Sequence, residues 1–192
     1  MIVSEIITEI GSAIGETPDN TRAMNIFNEC LSEDLISVLR LETKLDVPVV
    51  AGATSFSSPL DLYELLFIKC AKDTNGVLTE ISLDDPYSVG FKRFSSNIYL
   101  QEVDDLPDTI SVYYYRLPAK ITAVSETPDF PEQFHHALKY FYISKYQKED
   151  EELDLEKDYI QEYIAIKSAI DEATRKTAGI HRRRKIRVGY WT

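Results

Sequence analysis

The chain has 192 residues, enough for one full core, or one core with a satellite layer, that buries roughly 70% of the surface of its unfolded form. Hydrophobic residues make up 44% and charged residues 28%, which argues against wholesale disorder and against a fibrous architecture; the 12 tyrosines are the unusual count. Residues 180–192 hold Arg182, Arg183, Arg184, Lys185 and Arg187 and no carboxylate, so the net charge of −11 divides into −16 for residues 1–179 and +5 for the last 13. So negative a body repels nucleic acid over most of its surface, and its basic end suits an acidic partner.

No apolar run approaches the ~20 residues of a membrane span. Met1-Ile2-Val3-Ser4-Glu5 lacks the basic and apolar regions of a secretion signal, so folding in the cytoplasm is expected. Cys30 and Cys70 stand 40 positions apart without a metal-binding spacing and read as reduced and buried.

In chain order, Val3, Ile6, Ile7, Ile10, Ala13 and Ile14 form the stripe of an amphipathic helix that Gly15 and Pro18 end. A second helix is expected from Asp19 or Asn20 to about Leu41, with Met24, Phe27, Leu31, Leu35 and Val38 on one face. From Val47 the pattern changes, and residues 47–116 read as mostly β. Strands 65–70 and 77–83 flank Asn75-Gly76, a tight-hairpin signal. Strands 91–94 and 98–103 flank Ser95-Ser96-Asn97. In strand 109–116, Ile110, Val112 and Tyr114 share one face, and Ser111, Tyr113 and Tyr115 the other. Five or six antiparallel strands result.

Pro118, Pro128 and Pro131 punctuate the return to helix. The third helix, 131–147, is apolar nearly all round and belongs at the centre of a bundle. The fourth, 150–177, repeats Tyr159, Tyr163, Ile166, Ile170, Ala173 and Thr177 at alternating steps of four and three, a seam that closes the bundle. The fold class is therefore α+β: an α-helical bundle of about four helices from residues 1–46 and 128–178, an inserted antiparallel β region with its linker over 47–127, and an extended C-terminal arm over 179–192.

Motifs that carry chemistry are few. His135-His136 are adjacent on a helix and diverge, so they do not chelate one metal; a structural role is expected. The acidic run from Glu149 to Asp158 lies at a helix start, where carboxylates favour the dipole, and lacks the spacing of a calcium loop. Asp84-Asp85-Pro86-Tyr87 is turn chemistry before it is a catalytic pair. No nucleophile elbow or phosphate-cradling loop is present, and no catalytic residue, metal or cofactor is assigned.

In the arm, Gly179 ends the fourth helix, and Ile186, Val188 and Tyr190 alternate with Lys185, Arg187 and Gly189 as in an extended strand. This pattern suits addition to a partner's sheet edge, with Arg182, Arg183, Arg184 and Arg187 pairing carboxylates and Trp191 as an anchor. The alternatives are a basic tail held weakly by nucleic acid, and a metal-dependent hydrolase built on the acidic clusters.

Two segments carry a resemblance. Tyr113-Tyr114-Tyr115-Arg116-Leu117-Pro118-Ala119-Lys120-Ile121-Thr122, followed by Pro128-Asp129-Phe130-Pro131-Glu132-Gln133-Phe134-His135-His136-Ala137-Leu138, is similar to the head-to-tail adaptor (connector or neck) proteins of tailed bacteriophages. In these a Tyr-rich strand leads through a Pro-bounded acidic linker into a long apolar helix. Ser58-Pro59-Leu60-Asp61-Leu62 resembles a further family segment, with Ser in place of the usual Leu. The resemblance implies a non-enzymatic structural protein of the virion, a homo-oligomeric ring, commonly of twelve copies, and an arm that docks into the portal protein. It also implies a tail or stopper protein as the second partner, and DNA that passes through the channel without specific binding.

Overall fold

The structure, a computed structural model, describes residues 1–49, 54–70, 77–78, 80, 88, 90–101, 109–149 and 153–185. Of residues 70, 147–149, 153–156 and 176–185 it describes the backbone alone. The chain divides into two compact units, Met1–Arg40 with Pro118–Thr192, and Leu41–Leu117. The first is helical and the second β, so the α+β class with an antiparallel β insertion is observed.

In the helical unit, α1 (Val3–Ile14) buries Val3, Ile6, Ile7 and Ile10 of the predicted stripe, while Ala13 is exposed and Ile14 half-buried. Its first amides donate to the loop that precedes α4, Val3 N to Glu126 O at 2.9 Å and Ser4 N to Val124 O at 2.8 Å. Gly15, at φ 78°, takes the left-handed position that ends the helix. α2 (Asn20–Glu29) is capped by Asp19, whose carboxylate accepts from Arg22 N at 2.8 Å. The helical path continues through a π-helical segment, Cys30–Leu35, into α3 (Ile36–Leu39). Phe27, Leu31, Leu35 and Leu39 are all buried. Four α-helical residues overshoot one turn by ~40°, and the wider π turn absorbs that drift, so Leu39 takes the buried place that the α-helical pattern gave to Val38.

A short 3₁₀ turn (Glu132–Phe134) leads into α4 (His136–Glu149), which packs against α1, α2 and α5 (Leu153–Lys185). α4 is thus the central helix that its all-round apolar pattern predicted. Leu138, Tyr142 and Ile143 are fully buried, and Tyr142 meets Phe27 edge to face at 6.2 Å between ring centroids. From the α5 seam, Tyr163 and Ile170 are buried.

The β unit holds two sheets. β1 (Leu41–Pro48), β7 (Thr109–Arg116), β3 (Leu62–Cys70) and β4 (Val77–Leu78) form one in that order, antiparallel throughout. β2 (Ser55–Ser57), β6 (Asn97–Gln101) and β5 (Gly90–Phe94) form the other. Leu65, Ile68, Leu78, Phe91, Ile98, Leu100, Ile110, Val112 and Tyr114 make one core between them. The second predicted hairpin is present, and the two strands of the first are paired, while its expected tight turn at Asn75-Gly76 lies outside the described residues. β3 pairs with β4 through Ile68 and Leu78, and the β5–β6 hairpin closes at Phe94 and Asn97 over Ser95-Ser96.

Three boundaries differ from expectation. The second helical stretch ends at Leu39, and residues 41–46 are strand: Arg40 turns the chain with φ 43°, and Leu41–Pro48 find partners on β7, 60 or more positions away, that no local pattern shows. α5 continues past Gly179 to Lys185, so the arm does not become extended at 179. One glycine costs a helix only ~1 kcal/mol relative to Ala, and the Arg and Lys residues that follow are good helix formers that also favour the negative end of the dipole.

Candidate partner-binding surface

The residues assigned to partner binding lie at and beyond the end of α5. Arg182, Arg183, Arg184 and Lys185 occupy its last helical residues. Ile186, Arg187, Val188, Tyr190 and Trp191, and with them the strand expected over 185–190 apart from its first residue, lie outside the described residues. At ~1.5 Å per residue the 33-residue α5 spans ~50 Å, against ~21 Å for the 14-residue α4. The basic segment is thus carried on the longest described helix.

What fixes α5 is a polar cluster at the π-helical segment. Lys167 and the Tyr163 hydroxyl both donate to the carboxylate of Asp34, and the Tyr163 hydroxyl stands 3.6 Å from the thiol of Cys30. Burial works to raise the Asp34 carboxyl, but the bonds from Lys167 and Tyr163 outweigh it and hold the group below its ordinary value. Burial pushes the Cys30 thiol up to about 12, and raises the Tyr163 phenol with help from Cys30 and Asp34. Both stay protonated at neutral pH, and the cluster fastens α5 to the π-helical segment. One helical turn on, Arg40 Nη2 lies 3.1 Å from Asp171, and Thr174 Oγ1 donates to Val38 O at 2.8 Å. The Asp171 contact accompanies the left-handed backbone of Arg40.

Ion pairs tie the helices of the bundle together. Lys139 and Lys145 of α4 and Lys167 of α5 pair with Glu9 of α1, Glu29 of α2 and Asp34 of the π-helical segment. Half-exposed pairs of this kind add little stability each, and Arg40 with Asp171 runs in the opposite sense. Among the described residues no group of three or more His, Cys, Asp or Glu could hold a metal ion, and no helix is long and apolar enough to cross a membrane.

A family model described as SU10 adaptor protein matches residues 1–187. The chain belongs to the SU10 adaptor protein family. Membership agrees with the resemblance to phage head-to-tail adaptors, and indicates a virion component that interacts with other head or tail proteins. Among curated proteins, none matches the chain.

In this adaptor the segments that carry the resemblance are clasps. Tyr114 Oη donates to Asp61 at 2.9 Å, and Leu117 N to Asp61 O at 2.7 Å, joining the Ser58–Leu62 segment to the Tyr-rich strand. Burial, reinforced by Asp61, pushes the Tyr114 phenol up to about 12. Asp129 accepts from Ala119 N at 3.3 Å. His135, 1% exposed, sets Nδ1 3.1 Å from Met1 O and Nε2 2.8 Å from Phe130 O, while His136 lies 3.6 Å from Glu9. The two histidines diverge as expected, the first serving as a buried backbone bracket. The cluster of Cys30, Asp34, Tyr163 and Lys167 was absent from the sequence reading. Its one advance signal was Tyr163, a hydroxyl on an apolar seam that needs a buried partner.

Proposed function

We propose that the protein is the head-to-tail adaptor of a tailed phage: a ring of twelve copies in the virion neck that joins the portal to the tail or stopper protein, extends the DNA channel, and docks into the portal through residues 182–191. The family match over residues 1–187 carries this reading. A second support is the basic end of α5, the backbone segment of Arg182, Arg183, Arg184 and Lys185 on a helix that Asp34 and Asp171 tie to the bundle. A channel wall of net negative charge lets DNA slide past without adhering.

Native mass measurement of the cognate portal mixed with the full chain, or with a chain ending at Gly179, tests the reading. The full chain is expected to add to the portal in a fixed ring stoichiometry. The truncated chain should keep the far-UV spectrum of its body and fail to attach. Unchanged attachment of the truncated chain refutes the role of the arm. Tight, salt-sensitive DNA binding by the full chain, lost on truncation, favours a nucleic-acid-binding function instead.

A further inference from the structure

His135 is buried, and both of its ring nitrogens face oxygens that can only accept a hydrogen bond. Nδ1 lies 3.1 Å from Met1 O and Nε2 2.8 Å from Phe130 O, both of them backbone carbonyls. A neutral imidazole carries one N–H and one lone pair, so it satisfies one of these oxygens; the imidazolium carries two N–H groups and satisfies both. Either tautomer of the neutral ring sets a lone pair against a carbonyl oxygen in a site closed to water. The ring is fixed from the side by Phe130, which meets it edge to face at 4.8 Å between centroids.

The charges around the ring are mixed. Burial and the positive end of α4, which starts at His136, oppose a cation here. The Met1 amino group opposes it as well, but is itself paired with Glu132 at 2.5 Å. Glu132 favours it, since this carboxyl is held low by the Met1 amino group and, to a lesser degree, by His135. The other carboxylates nearby in the chain are engaged elsewhere: Glu5 of α1 with Ile2 N at 2.8 Å, Glu126 with Thr122, and Asp129 with Ala119 N at 3.3 Å. Further along α4, His136 and Lys139 share Glu9. The two carbonyl bonds, which only the doubly protonated ring makes together, decide the balance.

We propose that His135 is a proton-dependent latch for the first residues of the chain: it holds Met1 O and Phe130 O together while both ring nitrogens carry protons, and lets one of them go on deprotonation. The neighbouring bonds close in the same place. Val3 N donates to Glu126 O at 2.9 Å and Ser4 N to Val124 O at 2.8 Å, so residues 1–4 lie along the linker in a run of bonds that His135 completes. Because two bonds favour the charged ring, the folded chain binds the second proton more tightly than the unfolded chain. The latch therefore contributes fully below the ordinary histidine value of ~6.5, and its contribution drains away as pH rises beyond that.

Ring nitrogen-15 spectra of the full chain labelled at histidine, recorded over a pH series, provide the test. The chain has 3 histidines, so His136→Gln and His181→Gln assign the His135 signals by elimination. At about pH 7, where an ordinary histidine is largely neutral, both nitrogens of His135 should carry protons. Amide exchange of Val3 and Ser4, measured against the Ala23 amide of α2, should speed up about tenfold as the ring gives up its second proton, the equivalent of one lost buried hydrogen bond. His135→Gln, whose single nitrogen does not reach both carbonyls, should show the faster exchange at every pH; if it fails to fold, the wild-type spectra alone decide. A single protonated nitrogen on His135 at about pH 7 overturns the proposal. So does exchange at Val3 and Ser4 that takes no account of the ring's titration.

Discussion

Asn28 grips Ile121 by both ends of its amide: Oδ1 accepts from Ile121 N at 2.8 Å and Nδ2 donates to Ile121 O at 2.9 Å. The pair reproduces the two bonds of a strand partner with a single side chain, and so ties α2 to the buried start of the linker, 93 positions away. Aspartate at this position keeps the shape but loses the donor and sets a carboxylate against a carbonyl. Asn28→Asp is therefore expected to destabilise the helical unit by about 1–3 kcal/mol, read from the urea midpoint followed by far-UV circular dichroism.

Ser95 closes the β5–β6 hairpin with φ 56°, in the left-handed region that glycine occupies without a Cβ clash. Replacing it with Gly removes that strain while leaving the Phe94–Asn97 closing pair in place. Ser95→Gly should stabilise the β unit by about 1 kcal/mol, visible as a higher denaturation midpoint. Ser95→Val, with a branched Cβ at a positive φ, should lower it.

Asp34 sets the behaviour in acid. Its carboxyl is held below the ordinary value of 3.8 in the folded chain. The stabilisation it gives is thus complete above that value and drains away as pH falls through the lower, folded value. Asp34→Asn should be less stable than wild type at neutral pH, and the gap between the two should narrow below about pH 4. Asp46, Glu126 and Glu132 are also held low, by Ser111, by Thr122 and by the amino group of Met1. The variant therefore keeps part of the acid slope, and the difference curve from urea midpoints at each pH isolates Asp34.

The elements legible in the sequence are those whose signals are local. The α1 stripe, the α4 pattern, the β5–β6 turn and the two-residue alternation of β7 each lie within one element or one turn, and each is present. Strand β1 was not legible, because Leu41-Glu42-Thr43-Lys44-Leu45-Asp46 becomes a strand only through β7, its partner across 60 or more residues. The π-helical segment follows from a four-residue repeat that an α-helix cannot keep in line, a signal visible in Phe27, Leu31, Leu35 and Leu39 only once their burial is known. The exposed face of the β5–β6 hairpin is not legible in the sequence for the opposite reason. An alternating strand reads the same whether its outer residues meet water or another chain, and the register was needed to bring Phe94, Tyr99 and Lys92 onto one face.

The continuation of α5 through Gly179 gives the last prediction. With residues 180–185 helical, the glycine is a weak point inside a helix and not its end. Gly179→Ala should then raise the helical signal and stabilise the segment by about 1 kcal/mol, whereas Gly179→Pro, which removes one backbone donor and clashes with the preceding turn, should cost ~3 kcal/mol locally. Backbone chemical shifts of residues 180–185 separate the two. The alanine variant should strengthen their helical shifts and the proline variant erase them, with the signals of Phe27 and Tyr142 in the bundle core unmoved. Random-coil shifts in the wild type and no gain in the alanine variant would place the helix end back at Gly179.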